Sequence, residues 1–219
     1  MKVSLLPYFV LILMGAAWGL GIALTKITVA TGYGPFVLIF WQFVLGTIIL
    51  GFISIMRRKL PFFGRKTIFL FTVLALLGAI FPNSANYVAT YYLPAGFIAI
   101  LIATVPMFSF PIAMLMGLEK IDFRRIAGII VGFCGVLVLT GPDAGIPDKV
   151  LLIFIPLALV APLFYALEGN YVDKYGTSGQ DPIQTFTGVS ILGTLMVLPI
   201  VFATGQWINP LEPWPLQNF

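Results

Sequence analysis

Four polar residues recur at three- and four-residue spacing in one apolar stretch: Asn83, Asn86, Tyr87 and Thr90. On a helix that spacing puts them on one face. Amides and hydroxyls cannot face hydrocarbon without cost, so this face must look into a helix bundle or a watery cavity. Two uses are open: lining for a solute, or hydrogen bonding between helices, each such bond being worth about 0.6 kcal/mol. Gln42 and Thr104 can join either arrangement. Glu168 is the one carboxylate inside an apolar segment. A charge at the centre of a span costs about 2.5–3.5 kcal/mol on insertion scales, so Glu168 is an ion-coupling or cation-binding candidate. Its place shortly before the polar stretch that starts at Asp173 also fits an interfacial carboxylate near the cytoplasmic end.

Trp18, Trp41, Tyr91, Tyr92 and Tyr165 could line a path for an amphipathic solute. Several lie near the ends of apolar runs, where aromatic belts form by default. Trp18 and Tyr165 lie inside runs and are the stronger solute-lining candidates. Pro82 and Pro106 each remove a backbone donor in mid-helix, which kinks or opens a helix. A structural kink and a solute-facing break are both open, since freed backbone groups are tolerated where they line a cavity. Lys26, near the outer end of its run, either snorkels to the headgroups or meets an anionic solute.

Other chemistries are poorly supplied. The chain has no histidine, which removes the commonest general base and metal ligand. Its one cysteine, Cys134, sits in an apolar stretch and reads as a small core residue. Nothing resembles a nucleotide-binding loop, a metal-ligand motif or a cluster of catalytic groups. The chain therefore reads as a non-enzyme without catalytic residues, metal or cofactor. A membrane-embedded enzyme is the weaker rival to transport, and a non-transporting membrane scaffold is the other.

The elements that must position these residues are membrane spans. A soluble domain is about 25% charged; this one is 9% charged and 60% hydrophobic over 219 residues. No water-soluble fold could hide that much apolar surface. Runs bounded by charge, Pro or Gly predict seven spans at 8–28, 36–55, 67–90, 95–117, 126–141, 151–171 and 183–203, each near the length a bilayer requires. Between Lys66 and Glu119 there is no charged side chain, so that stretch must fold back, with a hairpin near Tyr92-Leu93-Pro94. Gly15 with Gly19, and Gly128 with Gly132, are small-xxx-small pairs that let helices approach closely, whether in static packing or in sliding contact.

Basic residues give the orientation. With a cytoplasmic N-terminus, Lys2, Arg57, Arg58, Lys59, Arg65, Lys66, Lys120, Arg124, Arg125 and Lys174 fall inside, and only Lys26 and Lys149 outside. Their place in short loops makes them a topology signal rather than a nucleic-acid patch. Glu119 with Arg124 and Arg125 reads as a loop cluster that caps helices. Lys2, the apolar run and Gly15-Ala16-Ala17 have the outline of a signal peptide, but the run continues to Val29 and reads as a retained first helix.

A shift of 147 positions carries Pro35 onto Pro182 and Val44-Leu45-Gly46-Thr47 onto Ile191-Leu192-Gly193-Thr194 without a gap. The same shift relates Trp18 to Tyr165 and Lys26 to Asp173. Five spans separate the two units, and an odd number reverses orientation, so this predicts an inverted repeat, an architecture of many secondary transporters.

From Tyr87 to Pro142 the chain resembles the drug/metabolite transporter superfamily, specifically its EamA-type members. The resemblance is carried by Tyr87 and Ala89, then Leu93-Pro94-Ala95-Gly96, Pro106, Gly117-Leu118-Glu119 and the glycine ladder Gly128, Gly132 and Gly135. Trp18-Gly19 looks like the family's opening motif. The resemblance implies a ten-helix transporter of two five-helix repeats working by alternating access, more often in export. The expected fold is thus an all-α polytopic membrane bundle with a complete first repeat at 1–142. Residues 143–219 supply two helices of an incomplete second repeat, so the chain is expected to be the front portion of a longer one. The expected setting is the cytoplasmic (inner) membrane, crossed several times. The expected partners are the lipid bilayer, a small amino-acid-like or amphipathic solute and a second copy of the chain, with no nucleic acid.

Overall fold

The computed structural model describes residues 6–139 and 153–208, and every regular element in them is helical. In chain order these are α1 (Leu6–Ala30), α2 (Pro35–Met56), α3 (Arg65–Ala75), a π-helical turn (Leu76–Ile80) and α4 (Phe81–Tyr92). They are followed by α5 (Ala95–Ile102), α6 (Val105–Leu115), α7 (Phe123–Leu139), α8 (Ile155–Tyr175) and α9 (Pro182–Ala203). From α3 through the π turn to α4 the helix is one 28-residue span, and α5 with α6 makes one of 21. Among the described residues six segments are long and apolar enough to cross a membrane, and α7 contributes 17 further residues. The chain is an all-α polytopic membrane protein.

The two singled-out prolines act differently. Pro82 has no N–H to return to Gly78, and in a regular helix its ring would strike that carbonyl. The preceding turn widens, so that the Phe81 N–H reaches the Leu76 carbonyl five residues back. Pro106 stands in the first turn of α6, after a break at which Thr104 Oγ1 donates to the Leu101 carbonyl at 2.6 Å. The expected hairpin is present: α4 ends at Tyr92, Leu93 is extended, and α5 begins after Pro94.

The sixth span differs from expectation. Asp173 and Lys174 belong to the last turn of α8, not to a loop, and the helix stops at Gly176, whose φ of 69° suits a residue without Cβ. Lys174 Nζ donates to the Met116 carbonyl at 2.8 Å, so the charge stays at the helix end and caps α6. Lys2, Pro142, Lys149, the last two positions of the expected fifth span, the first two of the sixth and positions 209–215 lie outside the described residues.

Packing centres on α2, α3 and α9. Val37, Ile39, Phe40 and Phe43 meet Leu70, Phe71 and Leu74 and, from α9, Val197 and Val201. α2 and α9 run antiparallel along their whole length. At one end Arg57 and Asp181 form two contacts of 3.3 and 3.0 Å; at the other, the Phe36 N–H donates to Gln206 Oε1 at 2.9 Å. Small residues allow the close approach. A Cβ on Gly46 would meet the Ser190 side chain, and one on Gly193 would meet the Phe43 ring. The second contact is the first moved by 147 positions and reversed, Gly46 answering to Gly193 and Phe43 to Ser190. A second cluster joins Ala89, Leu93, Phe97, Ile98 and Leu101 to Ala158 of α8.

Some expected contacts are not made. Around Gly15, Gly19 and Gly128 a Cβ would meet nothing within 4 Å, and only Gly132 has a close neighbour, Met107. The reason is that α1 buries Val29 alone, so its glycine face meets no described helix. Cys134 is exposed on α7 rather than set in a core. In the α6–α7 loop, Arg125 pairs with Glu119 at 3.0 Å, while Asp122 accepts from the Arg124 backbone N–H at 2.9 Å.

Asp181 caps α9. The Gln184 N–H first, and the Arg57 guanidinium second, hold its carboxyl below the usual carboxylate range. Because that pKa is depressed on folding, its stabilisation is present at neutral pH and is lost only as pH falls through the folded-state value. Asp181→Asn should therefore lower the melting temperature in detergent at pH 7 and flatten its decline on acidification. A Cβ on Gly188 would overlap the buried Phe71 ring. Gly188→Ala should then cost about 1–3 kcal/mol by overpacking, whereas Gly15→Ala should leave the melting temperature unchanged.

Candidate functional site

Between α1, α4 and α8 the bundle leaves a cavity of about 680 Å3, closed in part by Gln42 of α2, Ile102 of α5 and Phe186 of α9. Trp18 projects into it from α1. Asn83, Asn86, Tyr87 and Thr90 all reach it from α4, as one face of a helix requires. Tyr165 and Glu168, three residues apart on α8, complete the wall. All seven solute-lining candidates and the coupling candidate are thus brought together.

Four of these polar groups, Gln42, Asn83, Tyr87 and Tyr165, are tied to each other. Gln42 Oε1 accepts from Asn83 Nδ2 at 3.0 Å and from the Tyr87 hydroxyl at 3.1 Å. Asn83 Oδ1 accepts from the Tyr165 hydroxyl at 2.8 Å. The chain of bonds joins α2, α4 and α8, and Trp18 sets its ring edge-to-face against Tyr165 at 6.2 Å. Asn86 and Thr90 behave otherwise: each is buried, and neither Asn86 Oδ1 nor Thr90 Oγ1 has a hydrogen-bond partner. Asn83 and Tyr87 thus bond between helices while they line the cavity, and Asn86 Oδ1 and Thr90 Oγ1 stay unbonded beside it.

Glu168 lies deeper than the interfacial reading has it. Its carboxylate packs against Gly78, where any Cβ would collide with it. Gly78 belongs to the π turn at the middle of the 28-residue span. Carboxylate and widened turn thus face each other at mid-span, and among the described residues no donor bonds the carboxylate. π turns inside α-helices are frequently found at functional sites.

Lys26 is neither a snorkelling side chain nor a cavity group. Its Nζ donates to the carbonyls of Thr90, Tyr91 and Leu93 at 2.7, 2.9 and 3.0 Å, capping the C-terminal end of α4. A cation there also complements the helix dipole. Tyr91 and Tyr92 line a smaller pocket of about 280 Å3 with Tyr33 and Val88, and Tyr87 is a wall of both spaces. Trp41 packs on Phe40 and Trp207 instead. Thr104 is fully buried at the α5–α6 break, its hydroxyl bonded to the Leu101 carbonyl.

Gly78, Thr25, Ile102 and Phe186 are lining residues not singled out from the sequence. Thr25 carried a signal, lying seven residues, two helical turns, beyond Trp18. Gly78 carried another, four residues before Pro82, where the carbonyl loses its donor. Ile102 and Phe186 are ordinary apolar residues with none.

Comparison with known proteins agrees with this architecture. Residues 5–141 match the model of the EamA-like transporter family. The chain is also similar to an uncharacterized transporter of Archaeoglobus fulgidus, 22% identical over 195 residues, which are 89% of this chain and 67% of that protein. No solved structure matches the chain.

Gln42→Leu would strip the shared acceptor from Asn83 and Tyr87. Leaving buried donors unpaired costs about 1–3 kcal/mol, so the variant should melt earlier than wild type.

Proposed function

Since the chain belongs to the EamA-like transporter family, a family of membrane transporters, we propose that it forms the solute-binding part of a secondary transporter. That transporter moves a small amino-acid-like or amphipathic metabolite across the cytoplasmic membrane, in the direction of export, by alternating access. The observation that carries the reading is the cavity between the spans into which α1, α4 and α8 place Trp18, Asn83, Asn86, Tyr87, Thr90, Tyr165 and Glu168. Such a mix of aromatic faces with a few polar groups is the usual make-up of a small-molecule site.

The inverted-repeat arrangement, with a first unit at 1–142 and a second beginning at 143, belongs to the same proposal. It is supported by the reciprocal contacts Gly46–Ser190 and Gly193–Phe43 on the antiparallel helices α2 and α9. Two copies of a unit related by a two-fold axis make such self-complementary contacts. The cytoplasmic N-terminus is supported by the basic residues of the α2–α3 and α6–α7 loops.

Glu168 is the proposed coupling group, supported by its mid-span position beside Gly78. Reconstitution into liposomes tests both parts of the reading. The protein should move at least one member of a metabolite panel under an imposed proton or sodium gradient. Glu168→Gln should abolish gradient-driven uptake; unaltered uptake would return Glu168 to a structural role, and no flux across the panel from folded protein would count against transport itself.

A further inference from the structure

The hydrogen-bonding groups that the protein leaves unused are unevenly placed along the cavity. At one end stands the Glu168 carboxylate against Gly78, with no donor among the described residues. Among the described residues it is the one charged side chain of the lining. At the other end Asn86 and Thr90 retain a buried amide oxygen and a buried hydroxyl without partners. Gly78 and Asn86 are eight residues apart, roughly 12 Å along the span. Between them lie the rings of Trp18 and Tyr165, set nearly perpendicular at 78°.

From these placements we infer that the solute is an organic monocation: a primary amine with an aromatic body and a hydroxyl at its far end. The ammonium sits at Glu168, where a buried carboxylate needs an opposite charge. The ring lies on Trp18 and Tyr165, whose faces also attract the cationic end. The distal hydroxyl, both donor and acceptor, bonds the side chains of Asn86 and Thr90. Anions and zwitterions are disfavoured by the same inventory. Among the described residues no Lys or Arg lines the cavity, and the Lys26 ammonium is already held by three carbonyls. A solute carboxylate would therefore be buried without a partner, beside a like charge.

This inference rests on the cavity being the solute site, and it narrows the amino-acid-like class to amines without a carboxylate. The test is calorimetric binding to the protein in lipid nanodiscs, with tyramine, phenethylamine, tyrosine and 3-(4-hydroxyphenyl)propionate as probes. Tyramine should bind tightest, with tyrosine and the propionate at least about ten-fold weaker, the scale expected when a buried polar partner is lost. Glu168→Gln should weaken tyramine by about ten-fold or more. Asn86→Ala should bring tyramine down to the affinity of phenethylamine while leaving phenethylamine unchanged. If Glu168→Gln does not fold, the wild-type series and Asn86→Ala decide the matter. Equal or tighter binding of tyrosine or the propionate, no binding of tyramine, or an unaltered tyramine affinity in folded Glu168→Gln would overturn the inference. Flux in liposomes separates the two readings: tyramine bound through Glu168 but never moved would sink transport and leave the site, whereas flux without preference for cations would do the reverse.

Discussion

The hydrocarbon interior of a membrane offers a peptide group no partner, so every N–H and C=O that leaves the helical ladder must be answered from within the protein. Among the described residues of the spans the departures have identifiable neighbours. The π turn keeps its bonding by reaching one residue further and lies against the cavity wall. The break between α5 and α6 is closed by the Thr104 hydroxyl, with Ile102 beside it at the cavity. The end of α4 is answered by one lysine that bonds three carbonyls. Irregular backbone is thus concentrated where α1, α4, α5 and α8 converge, while α2 and α9 supply a regular antiparallel pair for them to lean on.

That pair explains how a strongly apolar chain holds a specific shape. Lipid gives helices no hydrophobic reason to associate, so contact must come from packing and from polar pairs. Glycines at 46, 188 and 193 let side chains of neighbouring helices sit where a Cβ would be. The Ser54–Thr187 hydrogen bond at 3.0 Å and the Arg57–Asp181 ion pair fix the register of α2 against α9. Around the cavity the same task falls to Gln42, whose single oxygen serves two donors from α4.

Much of this was legible in the sequence, because membrane helices are read from length and hydropathy, which need no tertiary information. The polar face from Asn83 to Thr90 was legible for a related reason: its spacing is a local property of one helix. Pairings between distant helices were not. Nothing local distinguishes Lys26, which caps a neighbour, from a lysine that snorkels, or tells that Gly15 and Gly19 meet open space while Gly188 meets a phenyl ring. Glu168 was misplaced in depth because α8 runs one turn further than its charges suggested, and because the residue opposite it, Gly78, has no side chain to announce itself. The reciprocal contacts of Gly46 and Gly193 were foreshadowed by the 147-position offset, although the offset alone does not say which faces touch.

The π turn between α3 and α4 has a rotational meaning. It holds one more residue per turn than its flanks, so it sets the angular phase between the half of the span that packs on α9 and the half that faces the cavity. Relaxed to ordinary helix with the same residues, it would swing α4 about its own axis by roughly 100° and shift it by about 1.5 Å relative to α3. Asn83, Asn86, Tyr87 and Thr90 would then turn away from Trp18 and Glu168 together, without any hinge bending. The widened turn thus works as an angular offset, and the composition of the cavity wall depends on a count of residues as much as on their chemistry.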